Sequence, residues 1–516
     1  MKEEVFKAAL AGLLHDIGKF AQRAGEGKHL TWNDQTNDQT KDEFKYEHAL
    51  YTDWVVEQIV PSQWRADVRA AAGRHHKPQA QLDQVVCLAD RLSAGERSDE
   101  RKDHPKQLQS IFCSLTGLKD ENGQPIPVPD KKYLPLKKLA IEKEVIFPVD
   151  TIDDSHGTYK ELWDGFARDA AALKIAFEQE GANKAAYLES LLNLMQQYTW
   201  CIPSAYYNAV PDVSLYDHSR MTAALAACLA QQPEDKIQVW LKQEAQAEPV
   251  ALLVGGDISG VQKFIYTLSS SGAAKALRGR SFYLQLLTVA VAHYTLNQLG
   301  LPTTNLIYAG GGNFFLLAGV KQGNILQNTA TIVSKELVRM HQGELHLILS
   351  STPVSAGESD RRKFHRVWSR LHQEELNRAK LQPLVNLGEI AFLEQVGSPL
   401  GEGGDNDNVC AISGQEIPNG KGVEIESGGD VIRVSDFSDS LIKLGNRLAK
   451  ATHLVTIHSS PQTNMEVDTW EDGLQAFGYI TLPIDANRHD FDNDLTLPEK
   501  IDWLELTTVS PPDIRN

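Results

Sequence analysis

Cysteine is scarce in this chain of 516 residues, and the five present, Cys87, Cys113, Cys201, Cys228 and Cys410, stand far apart without a CxxC pair. That spacing writes neither a disulfide framework nor a complete four-thiolate zinc ribbon, and a reducing cytoplasm is the expected compartment. Positive charge is in deficit. With 51 Lys and Arg against 68 Asp and Glu, the formal net charge is −17, which excludes a protein that coats DNA or RNA over its whole surface. Long apolar runs are missing too: stretches such as 289–292 are far too short to span a bilayer, and Met1-Lys2-Glu3-Glu4-Val5 has no signal-peptide character. No membrane is expected as a partner, and any nucleic acid is met locally or through basic partner proteins.

What is present is concentrated near the N-terminus. The amphipathic run from Phe6 to Phe20 carries Leu10, Leu13, Leu14 and Ile17 at helical spacing, and a helix there puts His15, Asp16 and Lys19 on one edge. Adjacent imidazole and carboxylate groups on a buried helix are costly unless they hold a metal. The next eighty residues supply further donors in His48, His75-His76 and Asp90. A divalent metal held by neutral imidazoles and a bridging carboxylate lowers the pKa of a bound water to about 7, giving a nucleophile for a phosphodiester. Lys19 is placed to meet a phosphate oxygen. Consecutive His75 and His76 cannot both point into one site, since neighbours on a helix diverge by roughly 100°, so only one of them is expected to reach the metal directly. The order His-Asp, His, His-His, Asp resembles the HD phosphohydrolase superfamily.

Downstream the texture changes by segment. Residues 1–112 read as an all-α domain interrupted by a polar loop from Gly25 to Lys45 beside the metal site, and 113–245 read as a proline-marked connector followed by helices. From 246 to 352, short apolar runs ended by glycine alternate with helices, which suits a ferredoxin-like α+β sheet, the palm of polymerases and nucleotide cyclases. Residues 353–484 are richer in Gly, Asp and Asn, and 485–516 form an acidic tail expected to be extended. The fold class is therefore α+β, in several domains.

The hairpin Tyr308-Ala309-Gly310-Gly311-Gly312-Asn313-Phe314-Phe315 sits where two-metal cyclases and polymerases carry Gly-Gly-Asp-Asp or Gly-Gly-Asp-Glu. Two-metal phosphoryl transfer needs at least two converging carboxylates, and here the turn offers only Gly312 and Asn313. Asp257 alone is a weak cation site, so this palm is expected not to cyclise ATP. Glycine-rich turns still let backbone N–H groups approach phosphates, and Asp257, Ser259, Gly260, Gly311 and Gly312 are the candidate nucleotide-binding residues, with ATP as the ligand. Leu277-Arg278-Gly279-Arg280-Ser281 adds positive charge at a helix start. Gly-Gly-Asp strings at 255, 403 and 428 lack the context of a palm hairpin; the last reads as a surface hairpin.

Four runs together, Leu13-Leu14-His15-Asp16-Ile17-Gly18-Lys19-Phe20, Asp212–Arg220, Gly256–Tyr266 and Leu277–Leu287, resemble the large signature subunit of type III CRISPR effector complexes, Csm-type III-A or a III-D relative. The resemblance runs from Ala8 to about Gly478. It implies a permuted HD domain that cuts single-stranded DNA using Mn, Ni or Fe, and partners comprising the backbone, small and guide-end-capping subunits with guide and target RNA. By the same resemblance, His15 and Asp16 are the HD pair, His75 or His76 and Asp90 are further ligands, and Ser259 faces ATP. Val409-Cys410-Ala411-Ile412-Ser413-Gly414 resembles one zinc knuckle with Ser413 in a cysteine's place and no second knuckle after it, so no structural zinc is expected. The family's second palm and C-terminal helical domain have no counterpart, which fits either a short subunit or the N-terminal portion of a longer one.

Three functions fit these residues: a metal-dependent HD nuclease within an RNA-guided complex, a scaffold subunit whose HD site is silent, and an HD phosphodiesterase for a small cyclic nucleotide. The first is preferred. An acidic subunit suits a complex in which other chains hold the RNA.

Overall fold

The structure, a computed structural model, describes all residues except 28, 31, 33–37, 96–103, 116, 128–129, 180, 208, 244–245, 267–272, 360, 381–408, 418–420, 428, 452, 464, 485–505 and 508–516. Mixed helix and small antiparallel sheets form two compact units, one of Met1–Leu252, Leu301–Asn305 and Pro353–Val367, the other of Leu253–Gly300, Leu306–Thr352 and Trp368–Asn516. No helix among the described residues is long and apolar enough to cross a membrane.

The first unit is helical: α1 (Glu3–Leu14), α2 (Gly18–Arg23), α3 (Asp38–Phe44), α4 (Glu47–Ile59), α5 (Ser62–Gly73), α6 (Gln81–Ser93), α7 (Lys143–Ile146), α8 (His156–Phe177), α9 (Lys184–Thr199), α10 (Leu215–Leu229) and α11 (Glu234–Leu241). Helix α1 is buried from Val5 to Leu14 apart from Lys7, which makes it the central helix, and α5, α6, α9 and α10 pack around it. Helices α8, α9 and α10 begin where Ser155, Asn183 and Ser214 accept backbone N–H groups of Thr158, Ala185 and Asp217. Two glycines set the closest approaches. A Cβ on Gly12 would lie 2.9 Å from Ala223 Cα, so α1 and α10 touch backbone to backbone. At Gly18 the corresponding atom would fall 2.1 Å from the His48 carbonyl oxygen, and the Gly18 N–H donates to Thr52 Oγ1 at 3.1 Å while that hydroxyl donates to the His15 carbonyl at 2.9 Å. Helix α4 is thereby locked against the segment that carries His15 and Asp16.

The second unit carries a four-stranded sheet in the order β2-β3-β1-β4, from β1 (Pro249–Ser259), β2 (Leu306–Gly310), β3 (Asn313–Ala318) and β4 (His346–Ser355). Helices α12 (Val261–Tyr266) and α13 (Ala273–Leu299) lie between β1 and β2, and α14 (Gly323–Met340) lies between β3 and β4. Strands β2 and β3 pair Gly310 with Asn313, leaving Gly311 and Gly312 as a two-residue turn at φ of 61° and 85°. Both central residues at positive φ make the type I′ geometry that matches strand twist. Beyond the sheet come α15 (Arg361–Ser369), α16 (Asn377–Lys380), the hairpin β5 (Val423–Ser427) and β6 (Asp430–Val434), the helix Asp436–Leu448, and β7 (His453–His458), which pairs with both β8 (Tyr479–Ile484) and β9 (Leu506–Thr507). The surface hairpin read at the third Gly-Gly-Asp string is β5–β6. The second such string, at 403–405, and the tail from 485, save β9, lie outside the described residues.

Several expectations are corrected. The single helix through Phe20 stops at Leu14, and the chain tightens into i to i+3 hydrogen bonds, Ile17 N–H to Leu14 O and Lys19 N–H to Asp16 O, before α2 begins. His15 and Asp16 therefore sit in a turn, and Lys19 belongs to the next helix. Arg278 and Arg280 are not at a helix start but inside α13, whose Gly279 meets the helix Asp436–Leu448 so closely that a Cβ would fall 1.9 Å from Leu441 O. Arg280 is buried and donates to the Phe264 carbonyl. The surroundings of Cys410 are hydroxyls and a backbone N–H: Ser438 Oγ lies 3.4 Å and Ser435 Oγ 3.8 Å from Cys410 Sγ, while the Ser413 N–H donates to the same sulfur at 3.5 Å. Burial pushes this thiol up, but hydrogen bonds from Ser413 and Ser438 outweigh it and hold the pKa at about 7.

Because the Gly18 contact leaves no room for a methyl group, Gly18→Ala should force α2 and α4 apart and destabilise the first unit by about 2 kcal/mol, well beyond an ordinary glycine to alanine change in a helix. Thermal unfolding beside Gly323→Ala, a change at a position with nothing within 4 Å and no positive φ, checks this.

Candidate metal centre

Five segments of the first unit bring seven side chains to one place. The turn after α1 supplies His15 and Asp16, the start of α4 supplies His48, the turn after α5 supplies His75 and His76, α6 supplies Asp90, and α10 supplies His218. Of the metal-site residues expected from sequence, His15, Asp16, Lys19, His48, His75, His76 and Asp90 all meet here. His75 and His76 do not diverge as a helix would require: α5 ends at Gly73, both histidines lie in the turn beyond it, and their ring centroids are 3.9 Å apart. Once the chain leaves helical geometry, the angle between neighbouring side chains is no longer fixed.

The donor atoms form two groups, His15, Asp16, Asp90 and His218 on one side and His48, His75 and His76 on the other, each mutually within 4.8 Å. Asp16 joins them. Its Oδ2 faces His15 Nε2 at 3.4 Å and His218 Nε2 at 3.6 Å, while its Oδ1 faces His48 Nε2 at 3.5 Å. Asp90 Oδ1 lies 3.2 Å from His218 Nε2 and 3.5 Å from His15 Nε2. Imidazole nitrogens meet in pairs, His15 Nε2 with His218 Nε2 at 3.2 Å and His48 Nε2 with His76 Nε2 at 3.0 Å.

Backbone carbonyls aim these rings. His15 Nδ1 donates to Gly12 O at 2.8 Å and His75 Nδ1 to Ala72 O at 2.6 Å, three residues upstream in each case. A carbonyl can only accept, so the hydrogen is on Nδ1, and in neutral His75 the lone pair is on Nε2. That His75 Nε2 is buried with no hydrogen-bond partner. A buried orphan lone pair of this kind fits a metal ion.

Charge is unevenly distributed over the cluster. Burial pushes Asp16 and Asp90 up, but Lys19 and His15 for the first, and His15 and His218 for the second, hold both carboxyls well below the usual range. Burial lowers His15, yet Asp16 and Asp90 lift it to about 10, so it carries a proton. Burial lowers His48 to about 3, His75 to about 4 and His76 to about 2. Those three rings are neutral at physiological pH and present lone pairs. Lys19 Nζ bridges Asp16 Oδ2 at 2.5 Å and the Ser204 carbonyl at 3.0 Å. A cleft of about 270 Å³ opens above the cluster, with Lys19, Lys45, Tyr46 and Arg91 among its walls.

Sequence reasoning missed His218. It stands 203 residues beyond His15, and its run, Asp212–Arg220, carries no ligand spacing; the signal available was that His218 falls inside one of the four runs that carry the family resemblance.

The candidate nucleotide residues lie together in the second unit. The Ile258 N–H donates to the Gly312 carbonyl at 2.8 Å, which joins the end of β1, with Asp257, Ser259 and Gly260, to the Gly311–Gly312 turn. The carboxylate of Asp257 has a partner of its own, Lys380 Nζ at 2.7 Å.

Comparison with known proteins agrees on both parts. The HD domain family matches residues 1–95, and the Csm1 subunit domain B family matches residues 250–396. The chain is 28% identical over 486 residues to the CRISPR system single-strand-specific deoxyribonuclease Cas10/Csm1 (subtype III-A) of Methanocaldococcus jannaschii, covering 84% of this chain and 57% of that protein. Its likeness to the protein of the same description from Thermococcus onnurineus is 27% over 469 residues, with 86% and 54% covered. The chain thus spans about half the length of the curated relatives it matches. The crystal structure of the Csm1-Csm4 subcomplex in the type III-A CRISPR-Csm interference complex shares the fold, with a TM-score of 0.59 at 22% identity over 93% of this chain and 56% of that one. With an HD family match at one end, a Csm1 domain B match after it and relatives of one description along most of its length, the chain is similar to the type III-A Cas10/Csm1 large subunits over the part of their length that it spans.

Proposed function

We propose that this chain is a metal-dependent single-strand-specific deoxyribonuclease subunit of a type III-A effector complex. The observation that carries the reading is the convergence on Asp16 of four histidines and a second carboxylate inside the segment that matches the HD family, with a fifth histidine, His218, joining from beyond it. His15, Asp90 and His218 with one oxygen of Asp16, and His48, His75 and His76 beside the other, are two donor sets for divalent ions of the imidazole-preferring kind, Mn, Ni or Fe. Held there, such ions supply Lewis acidity toward a phosphodiester and a nucleophile at neutral pH. The protein's own groups do the rest. Gly12 and Ala72 carbonyls keep two rings aimed, and Lys19, tethered between Asp16 and Ser204, offers its ammonium to the scissile phosphate.

The domain limits at 112, 245, 352 and 484 belong to the same proposal. The βαββαβ order of the sheet supports a ferredoxin-like palm, and the Cys410, Ser413, Ser435, Ser438 cluster supports a zinc-ribbon skeleton in which hydroxyls have replaced thiolates. The Gly311–Gly312 turn brings no carboxylate, and Lys380 neutralises Asp257, which supports a palm that binds ATP without cyclising it. The Csm1-Csm4 structures that share the fold support partnership with a guide-end-capping subunit, and through it with guide RNA, target RNA and the backbone and small subunits.

Asp16→Ala should abolish Mn²⁺-dependent cutting of a single-stranded oligodeoxynucleotide, by at least a hundredfold, while circular dichroism and the unfolding midpoint stay those of a folded protein. Undiminished cleavage by that variant overturns the nuclease reading. Metal binding has a proton partner. With His15 raised to about 10, a divalent ion must displace its proton, so apparent affinity should climb by about tenfold per pH unit between pH 6 and 8 for one proton released. Titration calorimetry in buffers of different ionisation enthalpy counts that proton, and His15→Asn should bind more weakly with a flatter pH dependence. With ATP and Mg²⁺ the chain alone should return only ATP; oligoadenylate that disappears on Asp257→Ala would contradict the empty turn.

A further inference from the structure

The wall of the metal cleft holds a side chain that the cluster below does not need. Tyr46 precedes α4 with extended backbone angles, and 45% of its surface is exposed, although it borders a site otherwise built from buried groups. Its ring lies parallel to His48, 11° apart in plane with centroids at 5.7 Å, and meets His76 edge to face at 4.7 Å. Lys45, held at a φ of 65° that a residue with a side chain rarely adopts, places its ammonium 5.1 Å from the ring centroid. Lys19 and Arg91 line the same cleft. An exposed aromatic ring beside three cations, over a floor of carboxylates and imidazoles, is the pairing of stacking platform and phosphate contacts by which proteins hold a nucleic acid strand whose bases are unpaired.

We propose that Tyr46 is a positioning residue, a platform on which one unpaired base of the substrate stacks, with Lys45 and Arg91 taking the flanking phosphates, so that the phosphodiester beside that base lies over the metal cluster. This rests on the nuclease reading and adds the origin of strand preference. Within a duplex each base is already stacked on its neighbours and paired, so it has no free face to offer Tyr46 without the cost of leaving the stack. Single-strand selectivity then comes from a ring at the mouth of the cleft and not from the metal ligands.

The test uses the full chain and two labelled strands of equal length, oligothymidylate and an abasic strand with the same phosphates, with anisotropy read in chelator and cleavage read in Mn²⁺. The wild type should bind oligothymidylate about tenfold more tightly than the abasic strand. Tyr46→Ala should bring that ratio near one, Tyr46→Trp should keep it, and metal content should be unchanged in both. A wild type that does not distinguish the strands, or a Tyr46→Ala protein that keeps the wild-type ratio, overturns the platform. If the wild type cuts neither strand with Mn²⁺, the nuclease reading fails, while the binding ratio still decides the role of Tyr46.

Discussion

Everything in the first unit is arranged around one buried carboxylate. Asp16 is almost inaccessible to solvent, and an ionised carboxylate taken out of water costs several kcal/mol unless charges and donors replace the water. Here the replacements are Lys19 at 2.5 Å, the protonated ring of His15, and the imidazoles of His48 and His218. Only Lys19 and His15 are neighbours in the chain. His48 reaches Asp16 because Gly18 has no side chain to hold α2 away from α4, and His218 reaches it because Gly12 lets α1 rest on the backbone of α10. Two absent methyl groups thus set the width of the site. The same closeness explains the charge pattern: with two carboxylates out of reach of water and one ammonium beside them at the cleft wall, one imidazole takes up a proton, and the outer three stay neutral.

How far the sequence could be read depends on the range over which each feature is decided. The Gly311–Gly312 turn was legible because a two-residue hairpin is a local matter of positive φ between strands whose apolar residues are visible. The place of Asp90 in the cluster was legible because it follows the earlier His and Asp residues in order and falls in α6 among Val85, Val86, Leu88 and Leu92, where a buried acid needs a reason. The break after Leu14 was not, since Ile17 and Phe20 continue the apolar spacing across it and the change from i+4 to i+3 hydrogen bonds leaves no mark in residue type. Arg280 misled for the opposite reason. Its charge suggests a solvated helix end, while the tertiary crossing at Gly279 buries it.

His218 and the serines around Cys410 show the same limit at longer range. A ligand brought in by a helix far along the chain has no spacing relation to the others, and only the packing of α10 on α1 makes it part of the set. Ser435 and Ser438 carry no metal-site signature in sequence because serine is common and hydrogen-bonds anywhere. Their meaning appears only when both hydroxyls are found against one sulfur.

The two places where negative charge gathers differ in what stands opposite it, and that difference separates what each can do. At the HD cluster, the neutral rings of His48, His75 and His76 stand beside the buried carboxylates, so lone pairs and negative charge gather in one place, and a divalent cation is the group that would satisfy the most of them at once. At the end of β1, Asp257 is alone among glycines and faces Lys380, whose ammonium already supplies the positive charge. A cation there would have to compete with a lysine for a single carboxylate, and the nearby ring of His346 is the one imidazole whose charge Asp257 feels among the described residues. The glycine turn offers N–H donors, of which that of Gly311 is met by Gln285 Oε1 at 3.3 Å, and such donors favour an anion, such as a phosphate, over a metal.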